Sequence, residues 1–192
     1  MLRGLGIAHY IKGVRAGAGE AARLEIAPDG SAIIFIGNQS NGQGHETVFA
    51  QAVSERLGIN INRIGMVQGD TDQIRTGGGT GGSRSMLNGI PACDNASLAV
   101  IENGTRFAAE AMEAAEVDIE YEDGVFQITG TDRTMTLAEV ANLATERDEI
   151  LDGEAQFAAD GMTFPNGSHA CEVEIDPETG STRVVRYWAI DD

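Results

Sequence analysis

The chain has 192 residues, of which 42% are hydrophobic and 22% charged, a composition typical of a globular protein that can bury a core. Its 13 basic and 30 acidic residues give a formal net charge of −17, which argues against nucleic acid or anionic lipid as a partner because like charges repel. The sole lysine, Lys12, is followed by Gly13, so the Gly-Lys-Ser/Thr of a Walker A phosphate loop is excluded.

The sequence contains neither a recognisable targeting segment nor cysteines at the spacing of metal ligands. No apolar run reaches the roughly 18 residues that a membrane helix needs, and the N-terminus does not begin with the apolar stretch of a signal peptide. Cys93 and Cys171 lie far apart, with no second cysteine or histidine at metal-ligand spacing. We therefore expect free thiols, no zinc site and a reducing, cytoplasmic location.

The first half of the chain is predicted to contain short strands, loops and one helix. A strand is expected at 5–11, a small-residue loop at 16–19, and a hairpin that joins 23–26 to 32–36. The continuous apolar run of 32–36 indicates a strand buried on both faces. Helical spacing then extends over 45–57, with an acidic first turn and Gly58 after the end.

After a short strand at 64–67, residues 69–90 contain seven glycines and are predicted to form a long loop. Pro91 is expected to open a helix that runs to about residue 115. A hairpin follows at 117–128, and the spacing of Thr136 and Glu139 predicts a capping box ahead of a short helix.

A third hairpin is predicted to join 170–176 to 182–190. Strand hairpins mixed with helices indicate an α+β fold, with mixed sheet hairpins packed on helices, in a single domain over residues 1–192. The pattern lacks the repeated parallel strand–helix–strand order of a Rossmann fold. Because a strong strand ends only two residues before Asp192, we expect an excised piece of a longer chain whose open strand edge could form a homodimer.

The first glycine loop lies between a predicted buried strand and a predicted helix. Gly42, Gln43, Gly44 and His45 stand where backbone N–H groups and the positive end of the helix could bind an anion. A tight turn without a ligand is the alternative. Phe49 stands where a zincin helix would carry its second histidine, so that motif is excluded.

The second glycine loop has five glycines in six positions from Gly77 to Gly82. It carries hydrogen-bond donors suited to phosphate or a polar cofactor, namely Thr80, Ser83, Arg84 and Ser85. A flexible surface linker is the alternative. Asp70 and Asp72 could bind a hard metal ion, but two acids alone favour turn and capping roles.

Four segments occur in an order and at spacings that resemble one family. They are GQGHETVFAQAVSERLGI, MVQGDTD, GGGTGGSRS and FPNGSHACEVEIDPETGSTRVVRYWAIDD. The chain resembles the molybdenum-binding large subunit of the xanthine dehydrogenase and aldehyde oxidase family, with the aerobic carbon monoxide dehydrogenase type as its nearest form. The resemblance covers nearly the whole chain.

The resemblance implies a molybdopterin cofactor, usually the cytosine dinucleotide in bacteria. It places the first loop against the cofactor with the Gln43 amide near the oxo group of the metal, and the second loop near the metal and the pterin. The small residues Gly81 and Gly82 would leave room beside the molybdenum. The implied cofactor-binding residues are Gly42, Gln43, Gly44, His45, Thr80, Gly81, Gly82, Ser83, Arg84 and Ser85.

The chain also departs from the family pattern. The Gly-Glu-Pro-like segment that carries the catalytic glutamate is absent, so no catalytic residue and no metal ligand is assigned. We expect a cofactor-cradling fragment that is inert by itself and that belongs with the rest of the large subunit and with iron–sulfur and FAD subunits. A non-catalytic binding or assembly module that keeps the fold without the cofactor is the alternative.

Overall fold

The computed structural model describes residues 1–14 and 17–192. The predicted loop at 16–19 therefore begins outside the described residues, and its part at 17–19 has no regular structure. In chain order the elements are β1 (Leu2–Ile11), β2 (Glu20–Ile26), β3 (Ala32–Ile36), α1 (His45–Leu57), β4 (Ile64–Gln68), α2 (Ser85–Ala111), β5 (Ile119–Glu122), β6 (Val125–Ile128), β7 (Thr134–Thr136), α3 (Leu137–Glu146), β8 (Leu151–Phe157), β9 (Asn166–Ile175) and β10 (Thr182–Asp191).

These elements form two compact units, and the α+β prediction is confirmed. The larger unit is Ala16–Asp160, and the smaller joins Met1–Arg15 to Gly161–Asp192. Among the described residues, the larger unit contains the helices α1, α2 and α3 together with two sheets, and the smaller contains one sheet. Among the described helices, none is both long and apolar enough to cross a membrane.

The main sheet of the larger unit has the strand order β4-β3-β2-β8. β2 pairs antiparallel with β3 and β8, as its hairpin with β3 predicts. β3 and β4 are parallel, with α1 as the connection between them, so one strand–helix–strand unit is present that the sequence pattern did not indicate. β8 was also not predicted, although it supplies a whole edge of this sheet.

Helices α1 and α2 cover one face of the main sheet and enclose the core. Leu24, Ile34 and Phe49 are fully buried there. On the other face Ile33 is 39% exposed but Phe35 is only 6% exposed, so the predicted burial of β3 on both faces holds except at Ile33. Burial of these large apolar side chains contributes about 1.5–3 kcal/mol each.

The prediction that α2 begins at Pro91 is wrong. The helix begins at Ser85, and the Asn88 N–H already donates to the Arg84 carbonyl over 3.0 Å. Pro91 lies inside the helix. The early turns were not recognised because their buried face carries small or polar residues, namely Ser85, Asn88, Gly89 and Ala92, and so lacks an apolar period.

A smaller sheet, β5-β6-β7, extends the larger unit and confirms the predicted hairpin. Its turn residues Asp123 and Gly124 have φ values of 45° and 82°, as a two-residue hairpin turn requires. The capping box is also confirmed, because the Thr136 hydroxyl accepts from the Glu139 N–H while the Glu139 carboxylate accepts from the Thr136 N–H.

The smaller unit is an antiparallel sheet with the order β1-β9-β10. It confirms the predicted third hairpin, although β9 begins earlier, at Asn166. The register places Glu174 of the central strand opposite Arg3 on one side and Arg183 on the other. The Glu174 carboxylate accepts from these guanidinium groups over 2.6 Å and 2.5 Å respectively.

These ion pairs predict an acid-sensitive sheet. The hydrogen bond from Arg3, followed by that from Arg183, lowers the pKa of Glu174 to about 2. Because the pKa is lower in the folded state, the stabilisation is present above the ordinary glutamate value of 4.5 and is lost as the pH falls towards 2. We expect the fluorescence of Trp188, the only tryptophan, to report unfolding of this sheet in that window.

The matched variant for this prediction is Glu174→Gln, which should remove most of the dependence on pH in the same window. Because the partners Arg3 and Arg183 are exposed, added salt should weaken the stabilisation in the wild-type chain. An identical acid transition in both proteins would show that the two ion pairs do not stabilise the sheet.

Candidate cofactor site

The first glycine loop leads from β3 into the N-terminus of α1. Gly42 and Gly44 have φ values of 98° and 80°, which glycine adopts with little cost. Gly44 is the N-cap residue and makes no side-chain hydrogen bond, so the N-cap position itself satisfies none of the first backbone N–H groups of α1. A Cβ atom added at either glycine would meet no atom of the described residues within 4 Å, so a ligand can approach the backbone there.

Two side chains modify this helix N-terminus. The Gln43 amide accepts from the Asn41 N–H and donates to the Gln39 carbonyl over 3.1 Å, which closes the loop on itself. The pKa of Glu46 is lowered, first by a bond to its own backbone N–H and then by the Ser40 side chain. The acid in the first turn thus neutralises part of the positive helix end.

The structure brings the two glycine loops together through Thr80. Its hydroxyl donates to the Gln39 carbonyl over 2.6 Å and accepts from the Gln39 N–H at 2.9 Å. The Ser85 hydroxyl donates to the Thr80 oxygen over 3.3 Å. Residues of the first and second loop that were assigned separately from sequence therefore lie at one location.

The remaining candidates of the second loop have different surroundings. Gly82 and Ser83 both have positive φ values, of 59° and 62°. In the part of the chain that the structure describes, a Cβ atom on Gly81 would have no neighbour within 4 Å. The Arg84 guanidinium donates to the carbonyls of Gly78 and Gly79, so it braces the loop from which it comes.

A layer of buried polar side chains lies behind the loops. Glu20, Asn38 and Asn88 are at most 2% exposed, and His45 is 4% exposed. His45 Nδ1, Asn38 Oδ1 and Asn88 Nδ2 are buried without a hydrogen-bond partner among the described residues. Burial raises the pKa of Glu20, against the effect of the backbone N–H groups that it accepts from.

Sequence reasoning found His45 but missed Glu20, Asn38 and Asn88. The available signal is weak: Glu20 precedes two alanines at the start of a strand, and Asn38 stands two residues after the apolar run of β3. Asp70 accepts from the Asp72 N–H at 2.9 Å and from the Gln73 amide at 2.6 Å, which confirms its turn role. Over residues 1–14 and 17–192 no group of three metal-ligating side chains is present.

Comparison with known proteins decides the family. A family described as the molybdopterin cofactor-binding domain matches residues 1–192. The chain belongs to this family. The molybdopterin cofactor-binding domain described here is thus the same kind of domain as the one indicated by the resemblance of its four segments.

Two curated relatives show how much of a longer protein the domain represents. It is 34% identical over 191 residues to the 6-hydroxypseudooxynicotine dehydrogenase complex subunit gamma of Paenarthrobacter nicotinovorans, covering 96% of this chain and 24% of the relative. It is 33% identical over 179 residues to the carbon monoxide dehydrogenase large chain of Hydrogenophaga pseudoflava, covering 90% and 22%. The domain spans about a quarter of these proteins.

Solved structures give the same result for the fold. The domain matches a Cu,Mo-CO dehydrogenase with a TM-score of 0.82 and 30% identity, over 98% of this chain and 26% of that one. It matches quinoline 2-oxidoreductase from Pseudomonas putida 86 with a TM-score of 0.80 and 28% identity, over 98% and 27%. The similarity to the carbon monoxide dehydrogenase large-subunit type is confirmed.

The residues present fit a molybdopterin cofactor. The helix N-terminus without a side-chain cap and the buried, unpartnered His45 Nδ1 are groups that a polar ligand can satisfy. The open positions at Gly42, Gly44, Gly79 and Gly81 leave space for a ligand to contact backbone. These observations are independent of the family match and agree with it.

Proposed function

We propose that this domain is the cofactor cradle of a molybdenum hydroxylase large subunit, and that its two glycine loops hold molybdopterin cytosine dinucleotide. The observation that carries the proposal is the double hydrogen bond of the Thr80 hydroxyl with Gln39, which joins the loops. Two separate loops with open glycine backbones would each offer a weak site. Joined, they can contact one extended ligand.

We assign each part of the cradle a role in binding the cofactor. The backbone N–H groups that follow Gly44, with the hydroxyls of Ser83 and Ser85, would donate to the phosphates or the pterin. Gly81 and Gly82 would allow close approach. When bound, the cofactor supplies the redox chemistry, and the domain supplies binding and orientation.

The test is a titration of the purified, isotope-labelled chain with molybdopterin cytosine dinucleotide, followed by backbone amide NMR. We expect the shift changes to concentrate at residues 42–47 and 79–85, with strands β9 and β10 unaffected. Changes spread evenly or located elsewhere would contradict the cradle. Absence of any change would favour the alternative of a binding or assembly module without the cofactor.

A pair of glycine variants makes this prediction specific. Gly81→Leu places a large side chain in the proposed site, at a position with open space and no positive φ. We expect at least about tenfold weaker binding, or 1.4 kcal/mol, with an unchanged free energy of unfolding. Gly161→Leu, also in open space but in the smaller unit, should bind like the wild-type chain. Equal binding by both variants would exclude Gly81 from the site.

We further propose that the chain is inert by itself and acts together with the rest of a large subunit and with iron–sulfur and FAD subunits. The absence of the Gly-Glu-Pro-like segment from the sequence supports this. We expect no substrate-dependent dye reduction by the purified chain, with or without added cofactor, when carbon monoxide or an aldehyde is supplied. Turnover above the dye-only control would overturn the assignment.

For the isolated chain we also propose a homodimer through the edge strand β10. This strand pairs with β9 along one side, and its side chains Val184, Trp188 and Ile190 are 59%, 47% and 76% exposed. Unpaired strand edges favour association. A monomer mass by light scattering at high concentration would contradict it.

A cytoplasmic location, expected from the two free thiols, also stays a prediction.

A further inference from the structure

The second glycine loop is held by a buried carboxylate that the sequence did not reveal as part of the site. Glu20, the first residue of β2, is 2% exposed. One carboxylate oxygen accepts from the Ala21 N–H, and the other accepts from the Gly78 N–H at 3.2 Å and from the Asn38 amide. Burying a carboxylate is costly, so its position needs several such donors.

The loop glycines are shaped around this carboxylate. A Cβ atom on Gly77 would lie 2.7 Å from Glu20 Oε1 and 2.7 Å from the Gly37 Cα, and a Cβ atom on Gly37 would lie 2.8 Å from the same oxygen. A Cβ atom on Gly78 would lie 2.7 Å from the Gly19 carbonyl oxygen. Gly77 and Gly78 are therefore required by packing, whereas Gly79 and Gly81 face open space.

Three successive loop residues are each fixed by a residue from elsewhere in the chain. Glu20 accepts from the Gly78 N–H, Asn38 donates to the Gly79 carbonyl over 3.2 Å, and Gln39 exchanges two bonds with Thr80. The Asn38 amide also donates to Glu20, so the first two anchors are coupled. Gly79 is thus anchored through its carbonyl although space is open at its Cα, and the residues from Gly81 onward follow these anchors directly.

We propose that Glu20 is a positioning residue for the cofactor cradle: its carboxylate fixes the packed half of the loop so that residues 81–85 are presented to the ligand. The inference rests on the proposed function, because the loop has a ligand to meet only if the cradle binds one. Glu20 itself lies behind the loop and is not assigned a contact with the cofactor.

The first measurement needs no variant and no cofactor. Amide hydrogen exchange of the wild-type chain should protect the Gly78 N–H, which donates to a charged acceptor, at least about tenfold more than the Gly81 N–H. Equal exchange at the two glycines would overturn the anchor. This outcome would not bear on whether the cradle binds a cofactor.

Two variants then separate hydrogen bonding from space filling. Glu20→Met keeps much of the volume without an acceptor, and Glu20→Gln keeps one acceptor oxygen. We expect Glu20→Met to raise exchange over residues 78–82 about tenfold and to weaken binding of molybdopterin cytosine dinucleotide, with exchange in β5–β7 unchanged. Glu20→Gln should restore most of both properties. Wild-type loop protection in a folded Glu20→Met variant would show that Glu20 only fills space.

The outcomes also distinguish this inference from the proposed function. If the wild-type chain shows no shift changes with the cofactor while Gly78 is protected, the proposed function fails and the anchor stands alone. If the cofactor binds but Glu20→Met binds it as well as the wild-type chain does, the positioning role fails and the cradle stands. If the Glu20→Met variant does not fold, the Glu20→Gln variant and the protection of the Gly78 N–H in the wild-type chain test the positioning role instead.

Discussion

Substitution of Gly58 by alanine should lower the free energy of unfolding of the larger unit by about 3 kcal/mol or more. Gly58 ends helix α1 with φ of 63°, a left-handed conformation that costs L-residues roughly 1–2 kcal/mol. The added Cβ atom would also meet the backbone of Asp123 and Gly124. Backbone cannot rotate away as a side chain can, so the turn or the helix end must move.

The matched control for this prediction is Gly130→Ala. Gly130 has φ of 77°, but a Cβ atom there would meet nothing within 4 Å. This variant should therefore show only the conformational cost, about 1 kcal/mol. Urea denaturation followed by far-UV circular dichroism suits both, because all described helices lie in the same unit as the two glycines.

A difference of about 2 kcal/mol between the two variants would measure how tightly the end of α1 packs against the β5–β6 turn. The Tyr121 hydroxyl, which donates to the Leu57 carbonyl over 2.8 Å, fixes the same junction. Equal destabilisation by both substitutions would mean that the backbone of Asp123 and Gly124 moves away from the new Cβ atom without loss of folding free energy. The result matters for the site because α1 begins at the first glycine loop.

The parts of the fold that follow from local chemistry could be predicted from the sequence. The Asp123–Gly124 turn, the Thr136–Glu139 capping box and the helix ended by Gly58 each depend on residues that are close in the chain. The start of α2 could not be predicted, because its buried face consists of serine, asparagine, glycine and alanine. Such a face lacks the apolar contrast on which periodicity depends.

Strand β8 shows the limit for long-range pairing. It pairs with β2 in the register Leu24 to Gly153, far apart in sequence, and its apolar positions are few. Gly153 is needed because a Cβ atom there would meet the backbone of α2 at Ala96 and Val100. A glycine at this point of a sequence is typical of a turn, whereas here it is needed because helix α2 packs against the strand.

The candidate site was partly predictable for the same reason. Both glycine loops are recognisable from their own residues and flanking elements, but Glu20 reads as a solvated residue at the start of a strand. Its burial depends on Gly77 and Gly78, which are more than fifty residues further along the chain. Sequence patterns identify the loop residues that could contact a ligand. The tertiary contacts of Glu20 identify the residue that holds the second loop in place.

We expect the second large effect from substitution of Gly77 by alanine. It tests whether the second glycine loop has a packed part at Gly77 and an open part at Gly81. Gly77 does not have a positive φ, so backbone conformation is not the obstacle. The Cβ atom would lie 2.7 Å from both Glu20 Oε1 and the Gly37 Cα. We expect a loss of about 2 kcal/mol in the free energy of unfolding, within the usual range for overpacking, and weaker binding of molybdopterin cytosine dinucleotide in the NMR titration.

The comparison variant is Gly81→Ala, four residues along the same loop. Open space surrounds this position, so its free energy of unfolding should stay within about 0.5 kcal/mol of the wild-type value. Equal stability of the Gly77→Ala and Gly81→Ala variants would contradict the division of the loop into a packed and an open half. The prediction concerns stability, which is measured without any cofactor.

A double-mutant cycle identifies which contact of Gly77 is decisive. Shortening Glu20 to alanine removes the oxygen that the new Cβ atom would meet, so Gly77→Ala should cost less in the Glu20→Ala background than in the wild-type chain. Additive effects would instead assign the cost to the Gly37 backbone, which is unchanged in both backgrounds. A coupling of about 1 kcal/mol or more between Glu20 and Gly77 would show that the carboxylate and the glycine are fitted to each other, as the positioning role of Glu20 requires.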